Sequence, residues 1–340
     1  MNKLHLEGKL NGRLMPGASR FLIGLVFLMG ALCLVGGPAL MKGGTDDAAR
    51  AHQRSACKRT ADAALKACRF SARDEFWLTT GKCHNVSDPQ AREECEDAAE
   101  EALEESTEQC GAQFEARVEL CDALREQRYD PQIDPSMFVD PANIGSTVTP
   151  NPYFPLTRGR TRIYRSGEET VTVTVTADTK VIQGVTCAVI RDVVANTDDG
   201  ELVEDTKDWY AQDIFGNVWY FGEAVKDFAD GEVVSIDGSF IAGVDGDKAG
   251  LIMKAAPAVG DVYRQEFSLA NAEDWARVLS LTGSATVPAV TCNGDCWVTR
   301  DAAPLEPGIF ETKYYAPGIG FILGVNSKTG VRTELVEVRN

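Results

Sequence analysis

The chain has 340 residues, of which 44% are apolar and 25% charged, with a net charge of −17. That length and composition suit two globular domains, while the acidic balance excludes nucleic acid, whose phosphates need Lys and Arg, and repels an anionic surface. Histidines occur only at 5, 52 and 84, so the remainder of the chain cannot build a Ser-His-Asp or Cys-His centre or most zinc sites.

The first segment, residues 1–44, carries Lys3, Lys9, Arg13 and Arg20 ahead of an apolar run at 21–41, FLIGLVFLMGALCLVGGPALM. This reads as a signal peptide or a signal anchor. Small residues at Gly37 and Ala39 fit cleavage after Ala39, whereas the length of the run and of its basic leader fits an anchor. In both cases the basic end stays cytoplasmic and the chain beyond the apolar run is exported. Cys33 is a poor lipoprotein site because Leu32 stands where a small residue belongs.

Export makes the cysteines readable as disulfides. Cys57, Cys68, Cys83, Cys95, Cys110 and Cys121 are separated by 11, 15, 12, 15 and 11 residues, a symmetric series. Paired from the outside inward, as Cys57–Cys121, Cys68–Cys110 and Cys83–Cys95, each pair sums to 178. A constant sum is what an antiparallel helical hairpin requires of facing residues. Its centre falls at Pro89, preceded by Asp88 as N-cap, and the flanks are rich in Ala, Glu, Arg, Lys and Leu. Fifteen pairings are open to six cysteines, and the spacings are not those of a metal site. Residues 45–88 carry a net +2 and residues 89–128 a net −9, so the arms attract. The expected apolar seam is thin: Ala63, Leu65, Phe70, Leu103, Phe114, Val118 and Leu120. A hairpin over 45–128 with so small a core relies on its cross-links, and suits a stalk or docking element.

Residues 129–152 hold five prolines, at 131, 135, 141, 150 and 152, and no periodicity, which predicts a semi-extended linker. From 153 to 340 the chain reads as strands. Val171, Val173 and Val175 alternate with threonines, and Val185–Ile190 comes after a turn at Gly184. Further candidates are 232–236, 261–269, 274–282, 296–301, 309–316, 319–325 and 331–338. Short strands without intervening helical patterns predict an antiparallel sheet, curved or closed into a barrel. Acid-glycine turns at 198–200, 227–230 and 245–247 read as hairpin turns or as calcium ligands, although none has EF-hand spacing. Cys292 and Cys296 enclose Asn293-Gly294-Asp295, which predicts a small loop disulfide. Cys187, left over, shares parity with Val185 and Val189 and reads as a buried free thiol.

The densest stretch is 201–223, ELVEDTKDWYAQDIFGNVWYFGE. Trp209 to Asp213 and Val218 to Gly222 alternate about a turn at Ile214-Phe215-Gly216-Asn217, which predicts a β-hairpin. Large side chains on both faces imply burial on both sides or a cavity lining. The aromatics are either plain core or a cleft with a carboxylate rim. The candidate ligand-binding residues are Trp209, Tyr210, Trp219, Tyr220, Phe221, Asp208, Glu223 and Arg264. ELVEDT, DWYAQD and GNVWYFGE resemble a signature of secreted bacterial proteins of unknown function. The resemblance extends to Asn151–Leu156, Ala242–Gly246, Tyr263–Glu266, Ala272–Asp274, Pro304–Gly308 and Lys313–Tyr315. It covers roughly residues 151–340 and implies no catalytic assignment.

The expected fold is α+β in separate domains: a signal or membrane helix, a disulfide-stapled α-hairpin, then a curved or barrel-like antiparallel sheet. The expected protein is exported, periplasmic or extracellular, tethered through residues 21–41 or released. Its β-domain would bind a small apolar or amphiphilic ligand or an envelope protein. One alternative is an assembly protein with the hairpin as docking element. Another is a hydrolase using paired carboxylates, for which Asp205, Asp208, Glu223, Glu266, Glu273 and Asp274 are candidates. No motif points to a cofactor or a metal.

Overall fold

The computed structural model of the protein describes residues 55–125 and 128–340. The apolar run at 21–41 and Cys33 lie outside the described residues. Among those described, no helix is long and apolar enough to cross a membrane.

Two helices, α1 (Ala56–Cys83) and α2 (Pro89–Leu124), form the antiparallel hairpin. Ser55 caps α1 by accepting the Lys58 N–H, and Asp88 caps α2 by accepting the Ala91 N–H, with Pro89 at the first helical position. The three disulfides are those the spacing predicts, with Cα atoms 5.6–5.8 Å apart. Lys58–Asp122, at 2.6 Å, joins the oppositely charged arms. The seam differs from expectation. It is built from Ala61, Ala64, Ala72, Ala99, Leu120 and the cysteines, whereas Ala63 and Phe70 face solvent. A disulfide holds the helix backbones close, and small side chains, alanine above all, fit between them at that distance. Larger apolar side chains are displaced to the flanks or outward.

Among the described residues, 161–339 form sixteen strands. They are β1 (Thr161–Ser166), β2 (Glu169–Ile182), β3 (Val185–Asn196), β4 (Leu202–Gln212), β5 (Val218–Ala224), β6 (Asp227–Ala229), β7 (Glu232–Ser235) and β8 (Phe240–Ile241), then β9 (Lys248–Met253), β10 (Val262–Arg264), β11 (Glu266–Phe267), β12 (Trp275–Val287), β13 (Val290–Ala302), β14 (Glu311–Ala316), β15 (Gly320–Asn326) and β16 (Arg332–Arg339). All pairings between them are antiparallel, in the order β10-β12-β13-β14-β15-β16-β1-β2-β3-β4-β5-β9-β11. The first long strand thus lies against the last.

The predicted strand at 261–269 is two short ones, and the reason is closure of the barrel. Residues 262–264 pair with β12, while residues 266–267 pair with β9. A single extended stretch therefore changes partners at Gln265 and joins the two edges of the sheet. The crossing needs backbone in contact with backbone: a Cβ on Gly250 would sit 2.2 Å from the Gln265 carbonyl oxygen. Cys292 and Cys296, expected around a loop, both lie within β13 and are bridged. Asn293-Gly294-Asp295 is a bulge, opposite the register shift at Gly283/Ser284 of β12.

The proline-rich segment runs up the outside of the barrel. Tyr129 donates to the Ala249 carbonyl at 2.8 Å, and Asp130 meets Lys248 at 2.7 Å. Two 3-10 turns come next, Pro135–Met137 and Pro141–Asn143, capped by Asp134 and Asp140. Phe138 lies edge-on to Trp219 and Phe221. The hairpin docks at the other end of this segment. Arg117 makes a two-pronged ion pair with Glu273, at 2.6–3.1 Å, with both side chains at most 5% exposed. Gln113 donates to the Leu305 carbonyl, and Arg264 reaches the Cys57 sulfur at 3.6 Å.

These contacts set two stability outcomes. Gly250→Ala forces the crossing apart, and the expected loss is on the order of 3 kcal/mol in chemical denaturation, the upper range for overpacking; an unchanged midpoint would refute the closure role. Arg117→Ala strands a buried carboxylate, with an expected cost of about 3–5 kcal/mol. Arg117→Met paired with Glu273→Leu should recover most of that loss, as read by thermal melts of the two variants side by side.

Candidate binding site

The β4–β5 hairpin forms as predicted, with Gly216 at φ 89° in its turn. Strand alternation then divides the eight candidate residues. Val175, Ile190, Asp208 and Tyr210 share one face through the β2–β3–β4 register, and Glu223 and Tyr220 join them from β5. This is the barrel interior. Trp209 and Phe221 take the outer face, in a cluster with Val185, Cys187, Val189 and Ala249. Trp219 is half-buried beneath Phe138. Arg264 belongs to neither group: its guanidinium lies over the adjoining rings of Tyr129 and Phe267 at the docked hairpin. The aromatics therefore serve as two separate cores on either side of one sheet.

Inside the barrel, Tyr210 and Tyr220 stack with ring centres 4.6 Å apart, and the Tyr220 hydroxyl donates to Asp208 at 2.7 Å. Asp208, Glu223 and Glu266 are 5%, 6% and 1% exposed. Glu266 links this group to a second one. The Asp274 N–H donates to Glu266, Gln265 and Thr299 donate to Asp301, and Lys313 lies 3.1 Å from Asp301 and 3.5 Å from Glu311. Burial pushes the Asp208 and Glu311 carboxyls up to about 7. Burial, with the neighbouring carboxyls, also holds Glu223 and Asp274 well above the usual carboxylate range. Burial would lower the Lys313 ammonium, but Asp301 and Glu311 outweigh it. The Cys187 thiol, buried and free on the outer face, is raised to about 12 by its apolar surroundings and is inert at neutral pH.

A cleft opens at the tip of the hairpin, at the barrel end away from α1 and α2. Its volume is about 360 Å³, between the turn at 213–217 and the segment 148–152, with Val139 and Ala255 at its sides. Its polar groups are already committed. Gln212 accepts the Asn151 N–H and donates to the Thr149 carbonyl. Asn151 donates to Gly216 and accepts from Tyr153 and Phe154. Asp213 accepts from Phe215, Asn217 and the Trp219 indole. The cleft exposes polar and apolar surface in nearly equal parts; the apolar part is Val139, Val148, Pro150 and Pro152, with Ile214 56% and Phe215 68% exposed at the rim. Sequence reading placed the site on the strands and passed over the turn. The available signal was Ile214-Phe215 itself, two large apolar residues at a turn tip, where polar ones are the rule. Arg117 was missed too, though it lies seven residues beyond Cys110 and so on the cross-linked face.

Of the expected acid-glycine turns, 198–200 and 245–247 are turns between strands, whereas residues 227–229 form β6 and only Asp230 lies in a turn. Among the described residues, no group of three or more His, Cys, Asp or Glu is arranged to hold a metal ion. Comparison of the chain with protein-family models, with curated proteins and with solved structures finds no match.

The buried carboxyls set the sign of the pH response. A carboxyl whose folded pKa is raised stabilises the fold fully below its unfolded value, near 4, and loses that contribution as pH rises through about 7. The melting temperature should therefore fall between pH 5 and pH 8, by the equivalent of roughly 2–4 kcal/mol. Asp208→Asn should flatten the slope. A melting temperature that rises over this range would contradict the protonated interior.

Proposed function

We propose that the protein is an exported binding protein whose cleft at the β4–β5 tip seats a small apolar or amphiphilic group. Four disulfides fit an oxidising compartment, in keeping with the basic leader and apolar run at the N-terminus. The periplasm or the outer face of the cell envelope, with residues 21–41 as anchor or cleaved signal, is the setting this implies. The observation that carries the reading is the cleft. Its volume lies within the range of small-molecule sites, the side chains of Asn151, Gln212 and Asp213 are bonded within the protein, and two large apolar side chains stand exposed at its rim. A mixed lining of this kind suits an amphiphilic group, whose apolar part rests on Val139, Val148 and the two prolines without stranding those three side chains. Trp219 supports the site from behind by fixing Asp213.

A second reading, an assembly protein with a solid barrel, is favoured by the filled interior: Trp297, Tyr220, Leu156 and Met253 are at most 1% exposed. The hydrolase reading draws on Asp208 and Glu223, whose burial leaves a substrate no direct approach, and it has the least support.

The test is native mass spectrometry and thermal melting of the full chain purified from an oxidising compartment, because residues 139–152 form one wall of the cleft. An amphiphile supplied at 100 times its dissociation constant should raise stability by about 2.7 kcal/mol, and Phe215→Asp should abolish the effect. No co-purifying mass and no stabilisation by any amphiphile or apolar peptide in the panel would move the assignment to the assembly reading.

A further inference from the structure

The outward face of the α-hairpin carries two features that neither the cleft nor the barrel uses. On α1, Lys66, Phe70, Arg73 and Trp77 recur at helical spacing on the face opposite the disulfides. Phe70 is 68% and Trp77 67% exposed, and Leu78 beside them is 54% exposed. Phe76 braces the Trp77 ring edge-on at 5.0 Å. On α2, the corresponding outward line is acidic: Glu94, Asp97, Glu101, Glu104, Glu108 and Glu115, all exposed. Like charges at these spacings repel one another, and among the described residues no ion pair relieves these six.

The two lines point in opposite directions from the hairpin, one basic and aromatic, the other acidic. They are complementary to each other, yet they cannot meet within one molecule. We propose that the hairpin is a self-assembly element in which the α1 line of one chain seats against the α2 line of a second copy. The observation that selects a second copy is charge complementarity. An anionic membrane surface would meet Lys66 and Arg73 as well, but it would also meet the net acidic hairpin and a chain of net charge −17. Each copy then has one donor face and one acceptor face, on opposite sides. Such a head-to-tail contact does not close on itself after two copies and builds an open row. Surface ion pairs contribute little to affinity, so the rings of Phe70 and Trp77 carry most of it and the charges set the register.

The test uses the full chain in mild detergent and sedimentation velocity over a concentration and salt series. The expected result is concentration-dependent growth beyond the dimer, reversed by high salt. Lys66→Glu with Arg73→Glu should be monomeric, and so should Glu101→Lys with Glu108→Lys. An equimolar mixture of these two double variants should associate again, because the intact α1 line of one meets the intact α2 line of the other and the two reversed lines are opposite in charge as well. Phe70→Ser with Trp77→Ser should weaken assembly at least tenfold. Unchanged disulfide maps keep misfolding out of the comparison. A parent chain that stays monomeric at all concentrations, or a mixture that does not pair, overturns the proposal. So does a monomer that instead sediments with anionic lipid vesicles through Trp77.

Discussion

The crossing at Gln265 is the constraint on which the rest of the barrel depends. A meander of this length has two open edges, and open edges invite pairing with other chains. Here one stretch, residues 262–267, pairs with the start of β12 on one side and the start of β9 on the other, and the sheet nearly closes. The change of partner also breaks the strict alternation of inward and outward side chains. Gln265 and Glu266, adjacent in sequence, are both buried at 3% and 1% exposure. Gln265 donates to Asp301, and Glu266 accepts from Asp274. Arg264, one residue earlier, is left for the docked helices. The short stretch therefore joins the sheet edges, completes the interior polar network and receives the hairpin.

That network explains how a barrel without a wide lumen tolerates so many acids. An ionised carboxylate buried alone is costly, and proteins avoid the cost by pairing the charge or protonating it. Both solutions occur here. Asp301 and Glu311 share the Lys313 ammonium, while Asp208 keeps its proton near neutral pH and accepts the Tyr220 hydroxyl. The Tyr210–Tyr220 stack and the fully buried Trp297 occupy the space between them. The interior is thus filled with side chains, although the Trp297 indole and the Tyr263 hydroxyl find no hydrogen-bond partner among the described residues. This is the physical reason that the apolar opening lies at the barrel's end, where the chain turns, instead of within it.

Much of this was written in local pattern. The constant sum of the cysteine numbers gave the hairpin, its pairing and its turn, because facing positions in an antiparallel pair obey arithmetic. The alternation around Gly216 gave the β4–β5 hairpin, and the parity of Cys187 with its valines placed a buried thiol. What could not be read are relations between distant residues. Nothing near Gly250 announces that Gln265 crosses over it, and a Glu-rich helix does not reveal which carboxylate, 156 residues away, its Arg117 meets. The thin seam was legible as thin but not as alanine, since the disulfides set the helix separation and the separation then selects the residue. The aromatic site failed for a related reason. Trp209 and Tyr210 are neighbours in sequence and lie on opposite sides of the sheet, so a cluster in the sequence became two cores in space.

The hairpin is joined to the barrel by specific polar contacts more than by hydrophobic area. Alanine and cysteine alone give the two helices little apolar surface to bury, and an uncross-linked pair of this kind would fray. Three disulfides at intervals along the pair remove that freedom from the unfolded chain, so the hairpin behaves as a rod of about 35–40 Å beyond its docking point at Arg117. At the base of the rod, the Arg117–Glu273 pair is specific in angle as well as in distance, because two nitrogens of a planar guanidinium meet one carboxylate. Glu273 is held in turn by the Ala270 N–H in the loop that leads into β12. The base of the rod is therefore fixed to the loop that leads into β12, one strand from the crossing at Gln265.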